Sequence, residues 1–218
     1  MGNGVGVKLC QYGHKDFTEE NENTYRYGTK TPVPYDNDGH GTNVIGLIGK
    51  YAGANVDYCI VVIKYYSSKQ SGTQNQEAEV KSLEYANYIK ADIINYSGGG
   101  YNKSLREEVT IKSFLNRGGK FIAAAGNDRL NIDYRENAYY PAVLDSRIVV
   151  VGNKNANGLP SGTSNYGSRV NVWEYGNNQV GYGINSSGTS QATAVTTGKI
   201  LSKTKNNCDI QDYNDHKK

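Results

Sequence analysis

Residues 76–126 read QEAEVKSLEYANYIKADIINYSGGGYNKSLREEVTIKSFLNRGGKFIAAAG, and this stretch decides the fold. Gln76–Lys90 places Val80, Leu83, Tyr85, Tyr88 and Ile89 at helical spacing on a polar background, the pattern of an amphipathic helix. ADIINY follows as a strand and runs into a glycine cluster. Ser104–Asn116 resumes a helical pattern that Gly118 and Gly119 stop. Phe121–Ala125 is then a short, continuous apolar run suited to a buried strand. Outward from this core, Val5–Cys10 and Tyr58–Ile63 read as strands and Thr42–Tyr51 as a helix. Arg147–Asn153 is a further strand, and a helix after Ser190 closes the core. Strands and helices in regular alternation predict an α/β fold, with a mostly parallel central sheet and helices on both faces.

A chain of 218 residues suits one domain, expected over 1–202 with a polar tail at 203–218. The net charge is +3 and the basic residues are scattered, which gives no electrostatic case for nucleic acid or a membrane surface. No apolar window is long enough for a membrane-spanning helix. Cys10, Cys59 and Cys208 are odd in number, far apart and without metal-ligand spacing. Cys10 and Cys59 lie in apolar runs and are expected as buried thiols, with no disulfide framework. With no signal peptide or propeptide visible, the expected setting is reducing and cytoplasmic. No carboxylate cluster argues for calcium, and no cofactor or metal is expected.

The polar clusters fall at strand ends and helix starts, where active sites of open α/β sheets collect. Each has two readings. In NSSGTSQATAVTTGK, 185–199, the hydroxyls are either helix caps or include a nucleophile, Ser190, placed where free N–H groups stabilise an anion. His40, flanked by glycines in DGHGT, is a loop histidine before a cap or an accessible general base. Asn127 in AAAGN finishes a turn in left-handed conformation or aims its amide at an oxyanion. Ser97, Gly98 and Gly99 are a plain strand end or an edge that pairs with extended peptide.

In order along the chain, DGHGT, NYSGG, AAAGN and SGTSQATA resemble the motifs of the subtilases, the subtilisin-like serine peptidases. YYPA at 139–142, VVVGN at 149–153 and SNYG at 164–167 extend the resemblance over roughly Val5 to Ser202. It implies a three-layer subtilisin-like fold and hydrolysis of polypeptide substrates. Ser190 would be the nucleophile, His40 the general base, and Asn127 with the Ser190 N–H the oxyanion hole. Ser97, Gly98 and Gly99 would line the substrate channel.

The resemblance breaks at the third triad member, an aspartate at the end of the first strand. Aligning Gly13 of LCQYGHKDF with the family glycine puts Gln11 at that position. A Gln carbonyl can hold the histidine tautomer but supplies no charge to favour the imidazolium. Three readings follow. Asp36 or Asp38 orients His40 from another direction, or the enzyme is slow and its target held close. Alternatively the scaffold is a pseudoprotease kept for protein binding. Asn43 in place of a frequent second histidine and Ala194 in place of a proline are smaller departures.

Overall fold

The computed structural model describes residues 7–18 and 33–204. The expected strand start at Val5–Gly6, much of the connection from His14 to Gly39, Cys208 and nearly all of the polar tail lie outside the described residues. In chain order the elements are β1 (Lys15–Asp16), α1 (His40–Ala52), β2 (Ile63–Lys64), α2 (Gly72–Tyr88), β3 (Ile93–Tyr96) and α3 (Leu105–Asn116). They continue with β4 (Lys120–Ala124), β5 (Val149–Lys154), β6 (Val172–Tyr175), β7 (Gln179–Gly181), β8 (Ile184–Ser186) and α4 (Thr189–Lys203).

Strands β3, β4, β5 and β6 form a parallel sheet in that order, with Tyr96 opposite Ala123 and Ala124 opposite Val151. Side chains alternate across β4 because a strand has a period of two. Phe121 and Ala123 face Leu83 of α2 and Ile111, Phe114 and Leu115 of α3. Ile122 faces the other way, toward Ala192 and Ile200 of α4. Helices therefore cover both faces, and the fold is the three-layer α/β arrangement expected. The helix α1 packs on α4 through Val44, Leu47, Ile48 and Ala194.

Local chemistry starts the two helices on the α2–α3 face. Ser71 and Gln74 make a reciprocal capping box on α2, and Ser104 accepts from Glu107 N on α3. On α2 the buried stripe is Ala78, Ser82 and Ala86 with Val80 and Leu83, whereas Tyr88 is 75% exposed. Tyr88 of the expected apolar face is thus turned outward, whereas Tyr85 is half-buried against Phe17. The pattern also misses β6 and the β7–β8 hairpin, which are too short to announce themselves.

The first strand is shorter than expected. Leu9 bridges Ile60, and regular pairing resumes only at Lys15 with Ile63, so residues 10–14 make an excursion opposite Val61–Val62. His14 closes it from within. Its buried ring accepts from Val62 N at Nδ1 and reaches Cys10 O from Nε2, each at 2.9 Å. Because Nδ1 must accept, Nε2 carries the proton, and one imidazole replaces two missing backbone partners.

The cysteine expectation is corrected here. Cys10 and Cys59 are joined in a disulfide, with Cα atoms 4.8 Å apart. Neither is a buried thiol, since Cys59 is exposed and Cys10 half-buried. Their apolar neighbours suggested burial, but the pairing of the two chain segments brings the sulfurs together at a surface edge.

Beneath the sheet end, Glu79 and Glu107 lie close together in the interior, and the Tyr96 hydroxyl donates to Glu79. Burial, then the charge of Glu79, pushes the Glu107 carboxyl up to about 9 from its ordinary 4.5. Between those pH values the folded chain keeps a proton that the unfolded chain has lost, so stability falls as pH rises through this window. Glu107→Gln is expected to flatten that decline, read as urea midpoints from pH 5 to 9; an unchanged slope would contradict a buried, protonated Glu107.

Candidate active site

The carboxyl ends of β3 and β4 meet the N-terminus of α4. Ser190 Oγ donates to Ser97 O at 3.0 Å, and Ser97 Oγ donates back to Ser190 O at 2.9 Å. Below them Asn95 of β3 links the two, donating to Ser97 Oγ and accepting from Thr197 of α4. The hydroxyl-rich helix mouth does not cap in the ordinary way. The N-cap is Gly188, with no side-chain cap bond, while Ser187 Oγ accepts from Asn178 N.

Asn127 supplies the missing partner. Its Oδ1 accepts from Thr189 N at 2.9 Å and from Thr189 Oγ1 at 3.1 Å. A backbone N–H can only donate, so the amide oxygen must face it, and Nδ2 is the end left to meet an anion. Ser190 is the second residue of α4, and its N–H has no partner within the helix. The left-handed residue of this turn is Gly126, at φ 97°, rather than Asn127. This is an anion-ready corner with a hydroxyl in it. Thr189, buried and bonded to both Gly126 N and Asn127, escaped the sequence reading because its role is visible only across the contact.

His40 opens α1 behind Gly39, and its side of the site is less complete. The His40 ring is exposed and has no hydrogen-bond partner among the described residues. Gln11 lies in the exposed excursion after Cys10, and its side chain likewise has no partner among the described residues.

The family model for the subtilase family matches residues 8–210. The chain belongs to the subtilase family. It is 30% identical over 185 residues to an alkaline proteinase of Hapsidospora chrysogena, covering 76% of this chain and 43% of that protein. With thermitase of Thermoactinomyces vulgaris it shares 27% over 215 residues, 89% of this chain and 74% of the relative. A cold-adapted subtilisin-like serine proteinase has the same fold, at TM-score 0.68 and 24% identity over 89% of this chain and 70% of that one. The subtilase thus spans less than half the length of the fungal relative.

Within this subtilase the two carboxylates near His40 are committed elsewhere. Asp36 Oδ1 accepts from Asp38 N and Gly39 N, and Oδ2 from the backbone and hydroxyl of Thr42. Burial alone would raise the Asp36 carboxyl, but these donors outweigh it and hold it at about 2. Asp36 is therefore the remote cap of α1. Asp38 accepts from the backbone N–H of His40, and no contact to the ring is made.

What ties the helices of His40 and Ser190 together is Asn43, fully buried. Its Oδ1 accepts from Gln191 of α4 at 3.0 Å, while Nδ2 donates to Gln179 O and Ile184 O. The residue that departs from the family histidine is thus the hub of α1, α4 and the β7–β8 hairpin. Asn43→Ala would strand the Gln191 amide in the interior, at about 1–3 kcal/mol, and take one of the donors from each of two hairpin carbonyls. We expect a loss of about 2 kcal/mol or more by urea denaturation; a loss below about 1 kcal/mol would show that water replaces the side chain.

Proposed function

We propose that this subtilase is a serine endopeptidase with an incomplete triad, cleaving polypeptide through an acyl-enzyme on Ser190. The observation that carries the reading is the Asn127–Thr189 bond, which orients the amide toward the mouth of α4 where Ser190 stands. In the reaction His40 takes the Ser190 proton as Oγ attacks the scissile carbonyl. The oxyanion is held by the Ser190 N–H and Asn127 Nδ2, and the proton then passes to the leaving amine. Water repeats the sequence on the ester. Ser97, Gly98 and Gly99 would pair with the extended substrate.

Gln11 stands where the family carries its aspartate, so the imidazolium lacks a charge partner. Loss of the corresponding carboxylate in subtilisin lowers kcat by about 3 × 10⁴, roughly 6 kcal/mol of barrier. A slow enzyme is the consequence, one whose substrate must be abundant or held nearby. The Cys10–Cys59 bond supports an oxidising setting in place of the reducing, cytoplasmic one expected from the sequence.

One observation favours the binding-only alternative. The Ser190 hydroxyl donates to Ser97 O, and the His40 ring is unpartnered among the described residues, so nucleophile and base are not hydrogen-bonded to each other. Covalent labelling with a fluorophosphonate separates the two readings. Labelling lost in Ser190→Ala and accelerated at least ~10-fold in Gln11→Asp supports the peptidase. A folded protein that takes no label over hours would leave the pseudoprotease.

A further inference from the structure

The space beside Ser190 has two walls. One is the segment Ser97–Gly100 after β3, whose Ser97 O lies 3.0 Å from Ser190 Oγ. The other is Gly126–Asp128 after β4, which carries the Asn127 amide. If a carbonyl carbon bonds to Ser190 Oγ and its oxygen turns to Asn127, the α-carbon one bond away lies between these walls. Its side chain must then point into the gap they enclose.

The ring of Tyr139 lies against both walls. A Cβ built on Gly99 would lie 2.4 Å from Tyr139 Cε1, and one built on Gly126 would lie 3.0 Å from Cε2. Opposite edges of one ring thus touch opposite walls, and only glycine on each wall admits it. The ring is held by its chain neighbour and by a second tyrosine. Tyr140 exchanges backbone bonds with Gly100, at 2.7 and 2.9 Å, which anchors the chain next to it. Tyr101 stands edge-on to Tyr139, with centroids 5.4 Å apart. The Tyr101 hydroxyl donates to Asp128 Oδ2 at 2.5 Å, a tie that joins the two walls.

We propose that Tyr139, braced by Tyr101, sets the specificity of this site by occupying the side-chain space next to the scissile bond, so that cleavage follows glycine or alanine and excludes bulky residues. This rests on the serine-nucleophile reading above and names its substrate class. The packing leaves no flexible end to give way. Displacing the ring would open the Gly99 and Gly126 contacts and the Tyr101 edge contact together, whereas a methyl or hydrogen needs no such movement.

Two peptidyl phosphonates that differ only in carrying alanine or phenylalanine at the reacting residue test this, with a small fluorophosphonate run in parallel. On the wild-type chain the alanine probe is expected to label Ser190 at least ~100-fold faster than the phenylalanine probe. Tyr139→Phe should keep that ratio, because the ring and not its hydroxyl fills the space. Tyr139→Ala should shrink it toward unity. Should Tyr139→Ala fail to fold by circular dichroism, Tyr101→Ala, on a half-exposed side chain, should reduce the ratio by removing the brace. Equal rates for both probes on wild-type protein, with the fluorophosphonate reacting, would overturn the specificity assignment and leave the peptidase reading standing. A folded chain that reacts with none of the three would overturn both.

Discussion

The docking of one helix end against two strand ends is the constraint on which the rest of this molecule depends. The N-terminus of α4 has no side-chain cap of its own, and β4 delivers the acceptor it lacks through Asn127. The same contact that satisfies an orphan N–H orients an amide, and the reciprocal Ser97–Ser190 bonds fix the third edge of the corner. Stability and chemistry share these atoms. A helix that capped itself with Ser187 would leave Asn127 with nothing to hold its direction, and the anion-ready geometry would be lost with it.

Around this corner the chain uses polar side chains where close packing alone would not select one arrangement. Asn43 reaches across from α1 to Gln191, the residue after the proposed nucleophile, and binds the hairpin in the same stroke. A buried amide with all its donors and acceptors met specifies one register between two helices, because any slip leaves several groups unpaired. His14 does the same for the first strand, standing in for a backbone that has looped away. Asp36 does it for the start of α1.

Much of the fold was legible because its signals are local. Phe121–Ala125 announces a buried strand, Ser104 and Gly118 bracket a helix, and their order implies the sheet. The candidate site was legible in parts, since His40, Asn127 and Ser190 each have a bland reading against which only their order along the chain weighs. What stayed hidden was decided by contacts distant in sequence. Nothing near Asn43 foretells Gln191, nothing near Tyr139 foretells the glycines on either side of it, and the apolar neighbours of Cys10 and Cys59 argued for burial rather than pairing. Asp36 looked like a partner for His40 because proximity along the chain does not reveal which donors a carboxylate has already collected.

The Cys10–Cys59 bond divides the site in an unexpected way. Its covalent ring, spanning a sequence separation of 49, contains Gln11 and the whole of α1 with His40, whereas Ser97, Asn127 and Ser190 lie on chain outside it. The segment carrying the proposed base is therefore closed into a ring that the segments around the proposed nucleophile do not share. Opening that thread would remove the covalent closure around α1, while the strand ends, α4 and the Asn43 tie kept their own bonds.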